Sequence, residues 1–272
     1  MADQIGVAVI GASGGMGELR VRHFQEDPRS RVVAACARDM GRLREAVRNE
    51  SIRLVADPGE IYAAEDVDAV VISTPNRFHY EQVTAALTAG KHVHCEYPLV
   101  DDLDRYDELT GLASEKGLVL HHGLTVRAEG HQLALKQALQ GLGEPRAAYY
   151  RYYGGEKWYV DPAVRGDMFC GLHIHFMDQF VDLFGQPERV MAHGVEREGK
   201  VSAVVMMGWP SGLVGTIEFA MGFADKPGYM GTIVTTDGWC GFSMAEEPQI
   251  TVERGGKSTV TTPPPDVSKE LD

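Results

Sequence analysis

From Ile5 to Gly123, short β-branched runs alternate with amphipathic stretches. Ile5–Ile10, Arg31–Ala35, Arg53–Val55, Ala69–Ser73, His92–Cys95 and Leu118–His122 read as strands. Between them, Met16–Gln25, Gly41–Glu50, Asn76–Ala89 and Leu103–Lys116 carry apolar residues at helical spacing. A run such as Val7-Ala8-Val9-Ile10 is apolar at consecutive positions, so both of its faces must be covered. The alternation therefore predicts a parallel sheet between two helix layers. Beyond an amphipathic stretch at Gly130–Gln140 the pattern changes. Ala147–Tyr153, Val190–Glu196, Val201–Met207, Gly212–Phe219 and Gly231–Thr235 read as strands, interrupted by one helix-like segment, Met168–Phe184. The tail from Thr261 to Asp272 is proline-rich and charged, and no regular structure is expected there. The expected organisation is an α/β chain: a doubly wound parallel sheet over residues 1–123, then an α+β domain over 124–272 with a large, mostly antiparallel sheet.

Composition narrows the partners more than the fold. At 272 residues and 44% hydrophobic, the chain can bury two modest cores. A formal charge of -13 opposes general affinity for nucleic acid or anionic membrane, which leaves a small-molecule ligand as the expected partner. No run approaches the ~20 apolar residues of a membrane helix, and Met1–Ile10 lacks signal-peptide character, so the expected location is the cytoplasm. Cys36, Cys95, Cys170 and Cys240 are scattered without a C-x-x-C pair, which argues against a zinc ribbon or a disulfide framework.

The segment I-G-A-S-G-G-M-G sets Gly11, Gly14, Gly15 and Gly17 where the first strand meets the first helix. A glycine-rich turn there lets backbone N–H groups and the positive helix N-terminus approach a pyrophosphate, which makes the first domain a Rossmann unit with Gly11, Ser13, Gly14, Gly15 and Met16 at the cofactor. The spacing departs from strict G-x-G-x-x-G, and a tight turn with no ligand is the alternative. At the end of the second strand, Ala37 takes the place of an acidic ribose ligand, and Arg38 and Arg42 follow. Guanidinium groups so placed suit a 2′-phosphate, so NADP is expected ahead of NAD. The alternative keeps Arg38 in solvent and gives the ribose to Asp39. His173 and His175 are two apart, about 200° around a helix, and no metal site is expected.

The stretch T-P-N-R-F-H-Y-E-Q-V-T-A-A-L-T-A-G-K-H-V-H-C-E-Y-P-L, Thr74 to Leu99, strongly resembles the glucose–fructose oxidoreductase/inositol dehydrogenase family, and Gly171–Asp178 resembles a weaker form of its D-x-G-x-H-x-x-D segment. In that family the Thr-Pro-Asn turn borders the nicotinamide ribose, and the E-K-P motif stands beside the ring. The resemblance implies that Thr74, Pro75, Asn76, His79, Glu96 and Tyr97 line the cofactor groove. It also implies an oxidoreductase. Two positions depart from it: Tyr97 replaces the family lysine, and Gly171 replaces the aspartate, while His175 is kept. Sugar oxidation needs a proton moved at the reacting oxygen, and two of the three groups that do this are gone. The E-Y-P variant resembles biliverdin reductases, whose conjugated substrate absorbs the electron density itself.

Three functions follow as expectations. The first is a reductase moving hydride from NADPH to a conjugated C=C or C=N bond of a bilin-like molecule or cyclic imine, with Tyr97 and His175 as the catalytic pair. The second is a sugar or polyol dehydrogenase using His175, and the third a non-catalytic NADP sensor. Arg127, Tyr152, Trp158 and His173 are the candidate substrate residues, Arg127 holding a carboxylate or pairing with Glu129. An apolar face of the second sheet is expected to join subunits into a homo-oligomer.

Overall fold

The computed structural model describes residues 4–154, 173–198, 200–223, 228–244 and 247–264. Two compact units divide between Leu124 and Thr125. The first is built on six parallel strands, β1 (Ile5–Ile10), β2 (Ser30–Cys36), β3 (Arg53–Val55), β4 (Ala69–Ile72), β5 (His92–Cys95) and β6 (Leu120–His122), in the order β3-β2-β1-β4-β5-β6. That order places a switch point between β1 and β4, where open α/β sheets bind ligands at their carboxyl edge. The helices are α1 (Gly15–Glu26), α2 (Met40–Ala46), α3 (Gly59–Tyr62), α4 (His79–Thr88) and α5 (Leu103–Glu115). Successive β1 residues enter opposite cores. Ala8 and Ile10 pack with Val83, Leu87 and Leu109, whereas Val7 and Val9 pack with Val21 and Leu43. This two-sided burial is why the strand carries no polar alternation.

The second unit begins with a 3-10 turn at Thr125–Ala128 and α6 (Gly130–Leu139). One further described helix, α7 (His173–Phe184), accompanies eight strands: β7 (Pro145–Gly154), β8 (Arg189–Arg197), β9 (Lys200–Gly208), β10 (Val214–Met221), β11 (Gly228–Thr235), β12 (Gly238–Ser243), β13 (Gln249–Arg254) and β14 (Lys257–Thr261). Their order is β14-β13-β12-β11-β7-β10-β9-β8, and every pair is antiparallel except β7 with β10. Leu135 of α6 and Phe176 and Phe180 of α7 belong to the same core as Tyr150, Ile217 and Phe219 of the sheet. On the opposite sheet face Tyr149, Val204, Met206, Val214 and Val234 are exposed.

The expected fold class is the one observed, and the local differences have physical causes. Helix α2 stops at Ala46 rather than Glu50 because Val47 leaves helical geometry and buries its side chain, while the Asn49 carboxamide accepts from the Ser51 N–H and hydroxyl in a local turn. The expected helix Asn76–Ala89 splits into a 3-10 turn, Asn76–Phe78, and α4. Helix α3 was too short for periodicity to show. Strands β12 to β14 were not expected at all, although Gly255 and Gly256, both at positive φ, make a two-residue hairpin turn between β13 and β14. Within the expected segment Met168–Phe184 only α7 is described; 168–172, with Gly171, and also Trp158 and Cys170, lie outside the described residues. Cys36, Cys95 and Cys240 are buried free thiols. Among the described residues, no helix is long and apolar enough to cross a membrane, and no group of three or more His, Cys, Asp or Glu is placed to hold a metal.

Candidate functional site

The glycine turn is shaped by two close backbone approaches. Gly11 has φ +89°, and a Cβ there would stand 2.5 Å from the Ser73 carbonyl oxygen. At Gly17 a Cβ would stand 2.1 Å from the Gly11 carbonyl oxygen, so the third glycine is demanded by helix–strand packing. Gly15 is different, since a Cβ there would meet nothing within 4 Å. Gly14 caps α1 without a side-chain hydrogen bond. The amides of the first turn thus face outward with the positive end of the helix, as an anion requires.

A groove of about 420 Å³ runs from this turn along the carboxyl edge, lined among others by Gly11, Ser13, Arg38, Arg42, Thr74 and Phe78. Pro75 also lines it, and the Thr74 hydroxyl donates to Gln82 Oε1 at 2.6 Å. Gly15, Met16, Asn76, Glu96 and Tyr97 are not part of its wall. The carboxylate of Asp39 accepts from the Gly41 and Arg42 N–H groups at the N-terminus of α2. Both bonds fall on Oδ1, so one oxygen of this carboxylate caps α2. The Arg38 guanidinium lies 6.0 Å from the centre of the Phe78 ring, and Arg42 reaches the Ser13 carbonyl at 3.5 Å. Neither is in an ion pair among the described residues. Positive charge at the mouth of the groove is therefore available to an anionic ligand in a chain that is acidic overall.

Two residues expected to line the groove have another role. Glu96 is 6% exposed, and its Oε1 receives Arg20 Nε at 2.6 Å, with His94 Nε2 at 3.6 Å. Burial alone would raise this carboxyl, but the attraction of His94 and Arg20 overrides it and holds the group at about 2. Its carboxylate is a buried anchor between β5 and α1. His79 is likewise fully buried and meets two backbone carbonyls, so it supports the groove from behind. Tyr97 is half-buried and precedes a cis proline, Pro98. On neighbouring strands, the His94 and His121 rings face each other with their Nδ1 atoms 2.8 Å apart, and His122 Nε2 accepts from the Leu99 N–H.

In the second unit, the expectation for Arg127 is corrected. Its guanidinium holds both oxygens of Asp178, at 2.7 and 2.5 Å, and stands 3.9 Å from Asp182. The bidentate pair ties this side chain to α7. Glu129, the alternative partner, lies 3.4 Å from His131 instead. Tyr152 is buried in ring contact with Phe176 and Tyr229, so it is part of the core of this unit. His175 is buried in the first turn of α7, and His173 begins that helix. The pairs Arg20–Glu96 and Arg127–Asp178 carried no sequence signal, because 76 and 51 residues separate the partners.

A parallel sheet of this strand order, a glycine turn ahead of an uncapped helix and a basic groove define the class of dinucleotide-binding α/β proteins. Comparison with known proteins makes the class specific. Residues 5–124 match the oxidoreductase family with an NAD-binding Rossmann fold, and residues 135–240 match the GFO/IDH/MocA C-terminal domain. The chain belongs to the GFO/IDH/MocA oxidoreductase family. It is similar to 1,5-anhydro-D-fructose reductase of Ensifer adhaerens, 39% identical over 38% of this chain and 32% of that one. It is also similar to scyllo-inositol 2-dehydrogenase (NADP(+)) of Bacillus subtilis, 28% identical over 47% and 37% respectively. The matches with the first curated relatives span about two fifths of those proteins or less. The fold is similar to that of Synechocystis biliverdin reductase in complex with biliverdin and NADP+ (TM-score 0.86, 23% identity, 98% of this chain and 87% of that one). A 3-ketoreductase from Actinomadura kijaniata with NADP gives a TM-score of 0.84 at 20% identity, covering 99% and 87%.

Proposed function

We propose that the protein is an NADP-dependent oxidoreductase that reduces a conjugated C=C or C=N bond. The observation that carries the cofactor reading is the groove lining, where Arg38 and Arg42 are in no ion pair among the described residues while Asp39 Oδ1 caps α2. The turn Gly11–Gly17 and the first amides of α1 would take the pyrophosphate, and the two arginines the 2′-phosphate. NADPH supplies the hydride when bound. Arg38→Ala is expected to weaken NADP(H) by roughly 1.5–3 kcal/mol, the scale of a lost hydrogen bond to a charged group, and to leave NAD(H) unchanged. Calorimetric titration of both cofactors decides it, and equal affinities in the wild type would sink the idea.

The bond type rests on Tyr97, a phenol where the family places a lysine. It can orient a substrate but brings no positive charge to a developing oxyanion. A conjugated acceptor needs none, and the biliverdin-bound neighbour is in keeping with such a substrate. The names of the sugar-reducing and inositol-oxidising relatives favour a second reading, a sugar or polyol dehydrogenase in which His175 moves the proton. An NADPH-oxidation screen over bilins, cyclic imines and keto-sugars separates the two. On the substrate found, Tyr97→Phe is expected to keep most of the single-turnover rate. A loss of about 10²–10⁴-fold would make Tyr97 the general acid and overturn the conjugated-acceptor account.

A further inference from the structure

His79 opens α4 at 1% exposure. Its Nδ1 lies 2.7 Å from the carbonyl oxygen of Pro98, and its Nε2 lies 2.7 Å from that of Thr74. Thr74 follows β4 and lines the groove, while Pro98 follows β5 and Tyr97. One imidazole therefore spans the two loops that leave neighbouring strands at the carboxyl edge. We propose that His79 is a positioning residue, a rigid brace that sets the separation of the Thr74 and Tyr97–Pro98 loops and through them the seat of the nicotinamide half of the cofactor. The proposal rests on the dinucleotide reading above.

Three observations support it. Both ring nitrogens stand at hydrogen-bond distance from carbonyl oxygens in separate loops, so the ring is held at both ends. The ring is out of reach of water, so either carbonyl would lose its partner if the ring turned or were replaced. The same two loops are also pinned beside the brace: Thr74 Oγ1 donates to Gln82, three residues along α4 from His79, and the Leu99 N–H donates to His122 Nε2. A ring holds its two nitrogens in one rigid plane. Glutamine offers its hydrogens on a single nitrogen and phenylalanine offers none, so neither reproduces the span.

The test compares two ligands on the full chain. NADPH needs both ends of the groove, whereas 2′,5′-ADP carries only the adenosine end, where Arg38 and Arg42 stand. His79→Phe is expected to weaken NADPH by roughly tenfold or more, His79→Gln by less, and both variants to bind 2′,5′-ADP as the wild type does. Equal losses for the two ligands, or no loss of NADPH, overturns the brace. Wild type that binds neither ligand overturns the dinucleotide reading, and this proposal with it. If His79→Phe does not fold, the ligand comparison is read on His79→Gln.

Discussion

Arg20→Met is expected to cost about 3–5 kcal/mol of stability, because it leaves the Glu96 carboxylate buried without the guanidinium that compensates its desolvation. Arg20 and Glu96 are nearly enclosed, and they join the first helix to the strand that leads into the E-Y-P turn. Removing both charges together, as in Arg20→Met with Glu96→Leu, should recover much of the loss, since the penalty belongs to the stranded ion rather than to the missing pair. Acid gives an independent readout. The Glu96 carboxyl is lowered from 4.5 to about 2 in the fold. Its contribution is therefore complete above the unfolded value, falls as pH drops from about 4.5 to about 2, and is absent below. The shift corresponds to about 3 kcal/mol. Urea titrations at pH 7 and pH 3 of wild type and Glu96→Gln would show it as a wild-type loss that the variant largely lacks. A parallel response of the two proteins would remove Glu96 from the acid response.

Gly17→Ala is expected to be among the most damaging single methyls in the first unit. The added carbon meets a backbone oxygen at 2.1 Å, so no side-chain rotation relieves it, and either α1 or the glycine turn must move. Overpacking of this kind costs about 1–3 kcal/mol, and the displaced turn would no longer present its amides to a pyrophosphate. Dinucleotide affinity should fall by about 100-fold, corresponding to about 3 kcal/mol. Gly15→Ala is the control. It meets open space and replaces a glycine in the first turn of a helix, so stability should stay within about 1 kcal/mol of wild type. Thermal melts and NADPH titrations of the two variants check the pair. Equal behaviour would mean that the turn accommodates a Cβ at either place.

What the sequence made legible followed from local physics. Ile5–Ile10 coincides with β1 because a strand buried on both faces is written as a continuous apolar run, and Arg53–Val55 and His92–Cys95 coincide with β3 and β5, where fewer positions are buried. The glycine turn was legible for the same local reason, as was Arg38 at the end of β2. Strand β12 is not, since its glycines break the alternation; β13 alternates over only a few residues, too short a run to stand out before the Gly255-Gly256 turn. The roles of Glu96, His79 and Arg127 were beyond local pattern. Each depends on partners brought together by tertiary folding: Arg20 across the sheet edge, two carbonyls in separate loops, and Asp178 in a later helix. A charge in a sequence announces that a partner is needed, and only the fold says which.

The single parallel pair in the second sheet orders events during synthesis. Strand β7 lies between β10 and β11, and these neighbours begin 60 and 74 residues after its last residue, Gly154. At a translation rate of about 5–20 residues per second, β7 waits several seconds on the ribosome before either edge can be paired. Every strand of the first sheet, by contrast, has been made by residue 122. The nascent chain can thus complete its parallel sheet early, then carries an unpaired aromatic strand, Tyr149-Tyr150-Arg151-Tyr152-Tyr153, through the interval in which a chaperone has most reason to hold it.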